Sequence, residues 1–227
     1  MTTTTAPRVL AVAAHADDEI LGAGGALAEH SAHGADLCFL ILSTSALSRP
    51  DSEHAAVNDH RRRCAQAAAE RYGATLVIAD LPDNGFDTVA QLTITQHIEA
   101  VIREFAPTLV YTHSTADLSR DHQLVAQATA AATRPQPGAS VRTVLAYEVR
   151  SATDWGIGTP FRPSWFQELS PVAVEQKLST LTDVYGSEMR PWPHTRSEPA
   201  IRALLTHRGA QCGAHAAEAF EVLRHMP

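Results

Sequence analysis

The sequence predicts an α/β fold, a Rossmann-like three-layer sandwich with a mainly parallel central sheet, and three observations lead there. Short apolar runs alternate with longer stretches of helical period, the pattern of repeated βα units. The 227 residues can bury one substantial core yet fall short of the size at which two domains become the better expectation. The composition, 44% hydrophobic and 19% charged, is that of an ordinary soluble domain and not of a disordered or fibrous chain.

The apolar runs read as strands are Arg8 to His15, Asp36 to Ser43, Thr75 to Ala79, Thr108 to His113 and Arg142 to Val149, with helices filling the intervals. After Val149 the pattern changes. SATDWGIGTPFRPSW is rich in glycine, proline and aromatics, a helix is expected from Pro171 to Tyr185, and SEMRPWPHTRS is again irregular. Both irregular stretches read as functional loops. A last helix is expected from about Glu198 to Arg224, so that residues 1–227 form a single domain.

A net charge of −7 argues against nucleic acid as a partner and favours a small molecule. Cys38, Cys64 and Cys212 are odd in number and widely spaced, which suggests neither a disulfide framework nor a cysteine metal site. The polar start MTTTTAPR and the short run after it match neither a signal peptide nor a spanning helix, so no membrane insertion and a cytoplasmic location are expected. Oligomeric state is left open, a homo-oligomer included.

The first strand runs into AAHADDE, which puts His15, Asp17, Asp18 and Glu19 at the carboxyl edge of the sheet, where open α/β folds bind ligands. Imidazole and carboxylate are good Zn²⁺ ligands, and two histidines with one acid leave a coordination position open. The fourth strand leads through YTHSTADLSRDHQLV to His122, so His15, Asp18 and His122 are the expected metal ligands. Asp17 is then placed to take a proton from water during attack on an amide. Taken singly, each acid has a plainer explanation: Asp17, Asp18 or Asp121 would serve as a helix N-cap. Two such motifs at two strand ends make coincidence a poor account.

AHADDE resembles the AHPDDE motif of the PIG-L/LmbE family of zinc-dependent N-acetylglucosaminyl deacetylases, and THSTADLSRDH resembles that family's second metal motif. The resemblance extends to LPDNGFD, to HTRS at His194 to Ser197 and to RGAQCGAHAAEAF ending at Phe220. It implies zinc, the roles given above for His15, Asp17, Asp18 and His122, and removal of an N-acetyl group from an amino sugar or its conjugate. Two departures stand out. Ala16 replaces the usual proline, and Ser119 replaces a histidine that helps to stabilise the oxyanion in many members. His194 is a candidate to reach in and take that part.

Ligating histidines usually donate their second ring N–H to an acid or carbonyl, and Glu19, Asp117 and Asp121 are the candidates to orient them. His113 is either a supporting group of the same kind or a satisfied buried polar residue. Arg49, Asp83, Asn84 and Arg196 fall after strands or in late loops, where substrate hydroxyls would be gripped; each could equally be a turn residue or surface ion pair. Trp155, Phe161 and Trp165 could wall the cleft or anchor their loop. Two other readings compete. One is a nucleotide-binding enzyme using Gly22, Gly24 and Gly25, which lie too late for a dinucleotide turn. The other is a zinc-binding relative with a different N-acyl substrate or no efficient hydrolysis.

Overall fold

In the computed structural model, residues 6–45 and 54–226 are described. β1 (Arg8–His15), β2 (Asp36–Ser43), β3 (Ala74–Ile78), β4 (Leu109–His113) and β5 (Thr143–Tyr147) form a parallel sheet. β6 (Trp165–Glu168) and β7 (Ala217–His225) extend it antiparallel, in the order β3-β2-β1-β4-β5-β7-β6. The helices are α1 (Asp18–Ala32), α2 (His54–Tyr72), α3 (Gln91–Phe105), α4 (Arg120–Ala132), α5 (Pro171–Ser179) and α6 (Glu198–Cys212).

The central strands are apolar through their middles because both faces are covered, and alternation splits their side chains between two cores. Val9, Ala11 and Ala13 with Leu37, Phe39 and Ile41 meet α1, α2, α5 and α6. Leu10, Val12 and Ala14 with Cys38, Leu40 and Leu42 meet α3 and α4. This is the expected three-layer α/β architecture. Gly22 of α1 lies against Tyr147, whose Cδ2 would be 2.2 Å from an added Cβ, so that glycine serves close helix–sheet packing and not a nucleotide turn.

Two expectations fail in the last third. The single helix from Glu198 to Arg224 is instead α6 followed by β7. Gly213, at φ 81°, ends α6 in the left-handed region, and its N–H returns to Gly209 O. AEAF at the start of β7 is buried on both faces, so it lacks the alternation that betrays a half-buried strand. The glycine-rich stretch also runs directly into β6, which had no apolar run to announce it. The expected helix from Pro171 to Tyr185 is α5 closed by a π turn at Thr180–Val184. No helix among the described residues is long and apolar enough to cross a membrane.

Candidate metal centre

β1 lies between β2 and β4, and the chain leaves the carboxyl ends of β1 and β4 toward opposite faces of the sheet. A crevice opens there. His15 ends β1, α1 starts at Asp18, and His122 sits in the first turn of α4. Asp18 Oδ2 is the hub: it lies 3.3 Å from His15 Nδ1 and 3.2 Å from His122 Nε2, and it accepts the His15 backbone N–H at 2.9 Å. The edge of a zinc tetrahedron with bonds near 2.0–2.1 Å is about 3.3 Å. The donor set and spacing therefore fit such an ion, and the buried Asp18 Oδ1 has no hydrogen-bond partner of its own.

Each histidine is held through its other nitrogen. His15 Nε2 lies 3.0 Å from Asp121 Oδ2 and 3.2 Å from Asp83 Oδ1. His122 Nδ1 lies 3.1 Å from Asp117 Oδ2, within ion-pair range though not well aligned for a hydrogen bond. These two acids are themselves fixed: Asp121 accepts the Phe86 N–H, and Asp117 accepts the Ser119 N–H and the Thr153 hydroxyl. The N-cap of α4 is Ser119, which frees Asp121 for His15. His113 stacks on His122 at 3.9 Å between ring centroids and accepts the Ala14 N–H through Nε2. Burial holds it well below the usual histidine range, so it is a neutral floor under the site.

Burial opposes charge on His15 and His122, but the acids around them outweigh it and raise them to about 10 and about 9. Asp18 is held well below the carboxylate range: burial works against this, and the charge of His122 with the hydrogen bonds from His122 and His15 overcomes it. The cluster thus attracts positive charge at the point where the three donors meet.

Asp17 occupies the N-cap position of α1 without making a capping bond, at φ 117°. That backbone is strained for a residue with a Cβ, by about 1–3 kcal/mol. Its carboxylate is instead gripped by Arg196, with Nη1 2.9 Å from Asp17 Oδ2. Burial pushes Asp17 up and Arg196 pulls it back, leaving it at about 7. Glu19 touches neither metal histidine; it accepts the Asp17 N–H and the Tyr185 hydroxyl, and burial raises it to about 8.

The cleft over the site has a volume of about 220 Å³ and is lined by His15, Asp17, His122, Asp83, Asn84, Ser119 and Arg196. Arg61, Glu188 and Ser151 also line it, and none of the three was singled out in the sequence. Arg61 stands in the HRRRC run of α2, and it pairs with Asp83 and Glu188. His194 is exposed and outside this lining, with Nδ1 accepting the Arg196 N–H. Arg49 lies outside the described residues. Phe161 lies under Arg208, Trp165 packs near His225, and Trp155 is exposed. A larger groove of about 570 Å³ borders Glu29, Val174 and Arg202 but contains no comparable meeting of donors.

A family model described as GlcNAc-PI de-N-acetylase (PIG-L) matches residues 10–133, which hold every donor above. The chain belongs to the PIG-L family. Its fold is shared with 4-carboxy-2-hydroxymuconate hydratase GalB from Pseudomonas putida KT2440, at TM-score 0.77 and 23% identity, covering 96% of each chain. It is also similar to N,N'-diacetylchitobiose deacetylase from Pyrococcus horikoshii, at TM-score 0.77 and 16% identity over 96% of this chain and 84% of that one. A zinc-inhibited form of teicoplanin deacetylase Orf2 aligns at TM-score 0.72 and 21% identity, over 96% of this chain and 98% of that one. Among curated proteins none matches the sequence. At these identities the structural likeness establishes the PIG-L fold, and the reaction has to be argued from the cleft.

Proposed function

We propose that this PIG-L protein is a zinc-dependent N-deacetylase acting on an N-acetylglucosamine-type sugar or glycoconjugate. The observation that carries the reading is the convergence of His15 Nδ1, Asp18 Oδ2 and His122 Nε2 beside a buried acid, Asp17, that is not itself one of the three donors. Two nitrogens and one oxygen suit zinc. When bound, the ion would polarise the amide carbonyl and acidify a water molecule.

Asp17 takes the proton from the attacking water and returns it to the amine nitrogen as the C–N bond breaks. An acid near 7 is suited to both transfers at neutral pH. Asp121 and Asp117 keep the donor nitrogens of His15 and His122 aimed inward. Asp83, Asn84 and Ser151 offer acceptors and donors to sugar hydroxyls along the cleft.

The likeness to the hydratase raises a second reading, water addition to an unsaturated carboxylate. The cleft disfavours it: among the described residues the guanidinium groups that line it, Arg61 and Arg196, are each already paired to a protein carboxylate. A substrate with several carboxylates would have to compete with those acids for the same cations.

Acetate release from a panel of N-acetylglucosamine conjugates, with one equivalent of zinc and with chelator, tests the proposal. Metal is titrated and not added in excess, in view of the zinc-inhibited form of the teicoplanin deacetylase. Hydrolysis lost with chelator is expected, and Asp17→Asn should lower kcat by about 10²- to 10⁴-fold at unchanged metal content. Absence of cleavage at any metal loading would overturn it.

A further inference from the structure

We propose that Arg196 is a catalytic residue of this site, its guanidinium receiving the negative charge that develops on the amide oxygen. This rests on the deacetylase reading above and fills the part that Ser119 leaves empty. Ser119 is spent on structure: it caps α4, with Oγ accepting the His122 N–H and its own N–H donated to Asp117. His194, the other candidate, does not line the cleft.

Of the two guanidinium groups that line the cleft among the described residues, Arg61 is committed. It donates through Nη1 to Ser45 O and Asp83 and lies 3.5 Å from Glu188 through Nε, and neither acid changes charge in the reaction. Arg196 differs in its partner. Nε donates to Ser151 Oγ at 2.7 Å and Nη1 to Asp17 Oδ2 at 2.9 Å, while Nη2 has no hydrogen-bond partner among the described residues. Ser151, at φ 73°, follows Arg150, whose carbonyl accepts a second, longer bond from Nε, so the guanidinium is held through Nε and Nη1 and keeps Nη2 for another acceptor. Its side chain keeps only 20% of its exposure and lines the cleft.

The charge balance makes this pairing useful. Before attack, Asp17 carries the negative charge that Arg196 neutralises. As water oxygen bonds to the carbonyl carbon, one water proton moves to Asp17 and the carbonyl π pair moves to oxygen. Asp17 becomes neutral in the same step that creates the oxyanion, so the guanidinium exchanges one counter-charge for another without leaving its seat. When the oxyanion re-forms the C=O bond, the C–N bond breaks, the nitrogen takes the proton from Asp17, and Arg196 regains its first partner. A donor already in position when the charge appears needs no reorganisation, which is the property that gives oxyanion donors their effect.

The test uses the zinc-loaded protein, with Arg196→Gln, Arg196→Lys and the double variant Ser119→His/Arg196→Gln. Metal content and melting temperature are measured for each. Arg196→Gln should lower kcat by about 10²- to 10³-fold with KM changed far less. Affinity for a tetrahedral methylphosphonamidate of the same sugar should fall in parallel with kcat/KM. Arg196→Lys, which keeps charge without the fork, should lose less, and Ser119→His in the Arg196→Gln background should restore at least about tenfold in kcat by returning a donor from the α4 side. The proposal is overturned if Arg196→Gln changes only KM or leaves phosphonamidate affinity intact. Full recovery of kcat at high pH would overturn it too, since Arg196 would then act only on the ionisation of Asp17. If the wild type cleaves no amide, the deacetylase reading itself falls, and that is seen before any variant is made.

Discussion

Up to Ala132 the chain is a run of parallel βα units whose chemistry sits within a few residues of a strand end; beyond β5 the sheet is completed by the antiparallel pairings of β7, and the cleft is reached through loops. The first region contributes all three metal donors and the acids that aim them. The second contributes Arg196, Ser151 and Glu188, and with them the control of Asp17. The difference is one of contact order. His15 and Asp18 are three residues apart, whereas Asp17 and Arg196 are separated by 179. A short motif carries its geometry in a single turn. A long-range pair exists only once the sheet has been closed by β7 and β6.

A buried ion pair of the second region grips the α1 backbone of the first, and cutting it is the largest perturbation of the two regions. Lys177 of α5, the only lysine in the chain, donates to Leu21 O and to Glu218 Oε1, and Glu218 of β7 accepts the N–H groups of Gly25 and Ala26 in α1. Both side chains are almost fully buried. Lys177→Met should destabilise the fold by about 3–5 kcal/mol, because Glu218 keeps its charge without a cation. Replacing both partners, as Lys177→Met with Glu218→Leu, should cost less than the single change, as judged by urea midpoints. If zinc affinity of the folded Lys177→Met protein stays within about threefold of wild type, the second region supports the fold without tuning the donors; a larger loss would erase the division drawn above.

A smaller effect is expected inside the first region. Asp121→Asn and Asp117→Asn should each weaken zinc binding by about 10- to 100-fold, measured by competition with a chromophoric chelator. Asp121 has the better-aligned contact and shares His15 with Asp83, while Asp117 is anchored to the second region through Thr153. Asp117→Asn should therefore also alter the loop carrying Ser151, and kcat should fall beyond what zinc occupancy explains.

The sheet, the three-layer arrangement and the strands up to β5 could be read because apolar runs and helical periods alternate cleanly there. β7 could not, since AEAF is small and buried on both faces and so imitates a helix rich in alanine. In the site, AHADDE and the later DH identify donor types, but not which carboxylate orients which ring. That choice depends on Ser119 taking the N-cap, which leaves Asp121 free to turn back to His15. Glu19 was legible as part of the motif and not as a partner of Tyr185, 166 residues away.

The smallest effect separates donors from supports by counting protons. In the metal-free protein His15 and His122 lie at about 10 and about 9, so both are protonated at pH 7. A metal ion must displace those protons, and zinc binding at pH 7 should release about two of them, read from calorimetry in buffers of different ionisation enthalpy. The linkage to stability has a definite sign. Both histidines bind protons more tightly folded than unfolded, so their contribution is complete below about 6.5 and is lost as pH rises through about 9 to 10. Asp17 and Glu19, raised to about 7 and about 8, shift the same way, their folded forms resisting the ionisation that the unfolded chain accepts at ordinary carboxylate pH. Metal-free protein should thus lose melting temperature from weak acid toward pH 10, and zinc-loaded protein should lose much less over that range, because the ion stands where the protons stood. Equal slopes with and without zinc would mean that the first region holds its histidines for some purpose other than a metal.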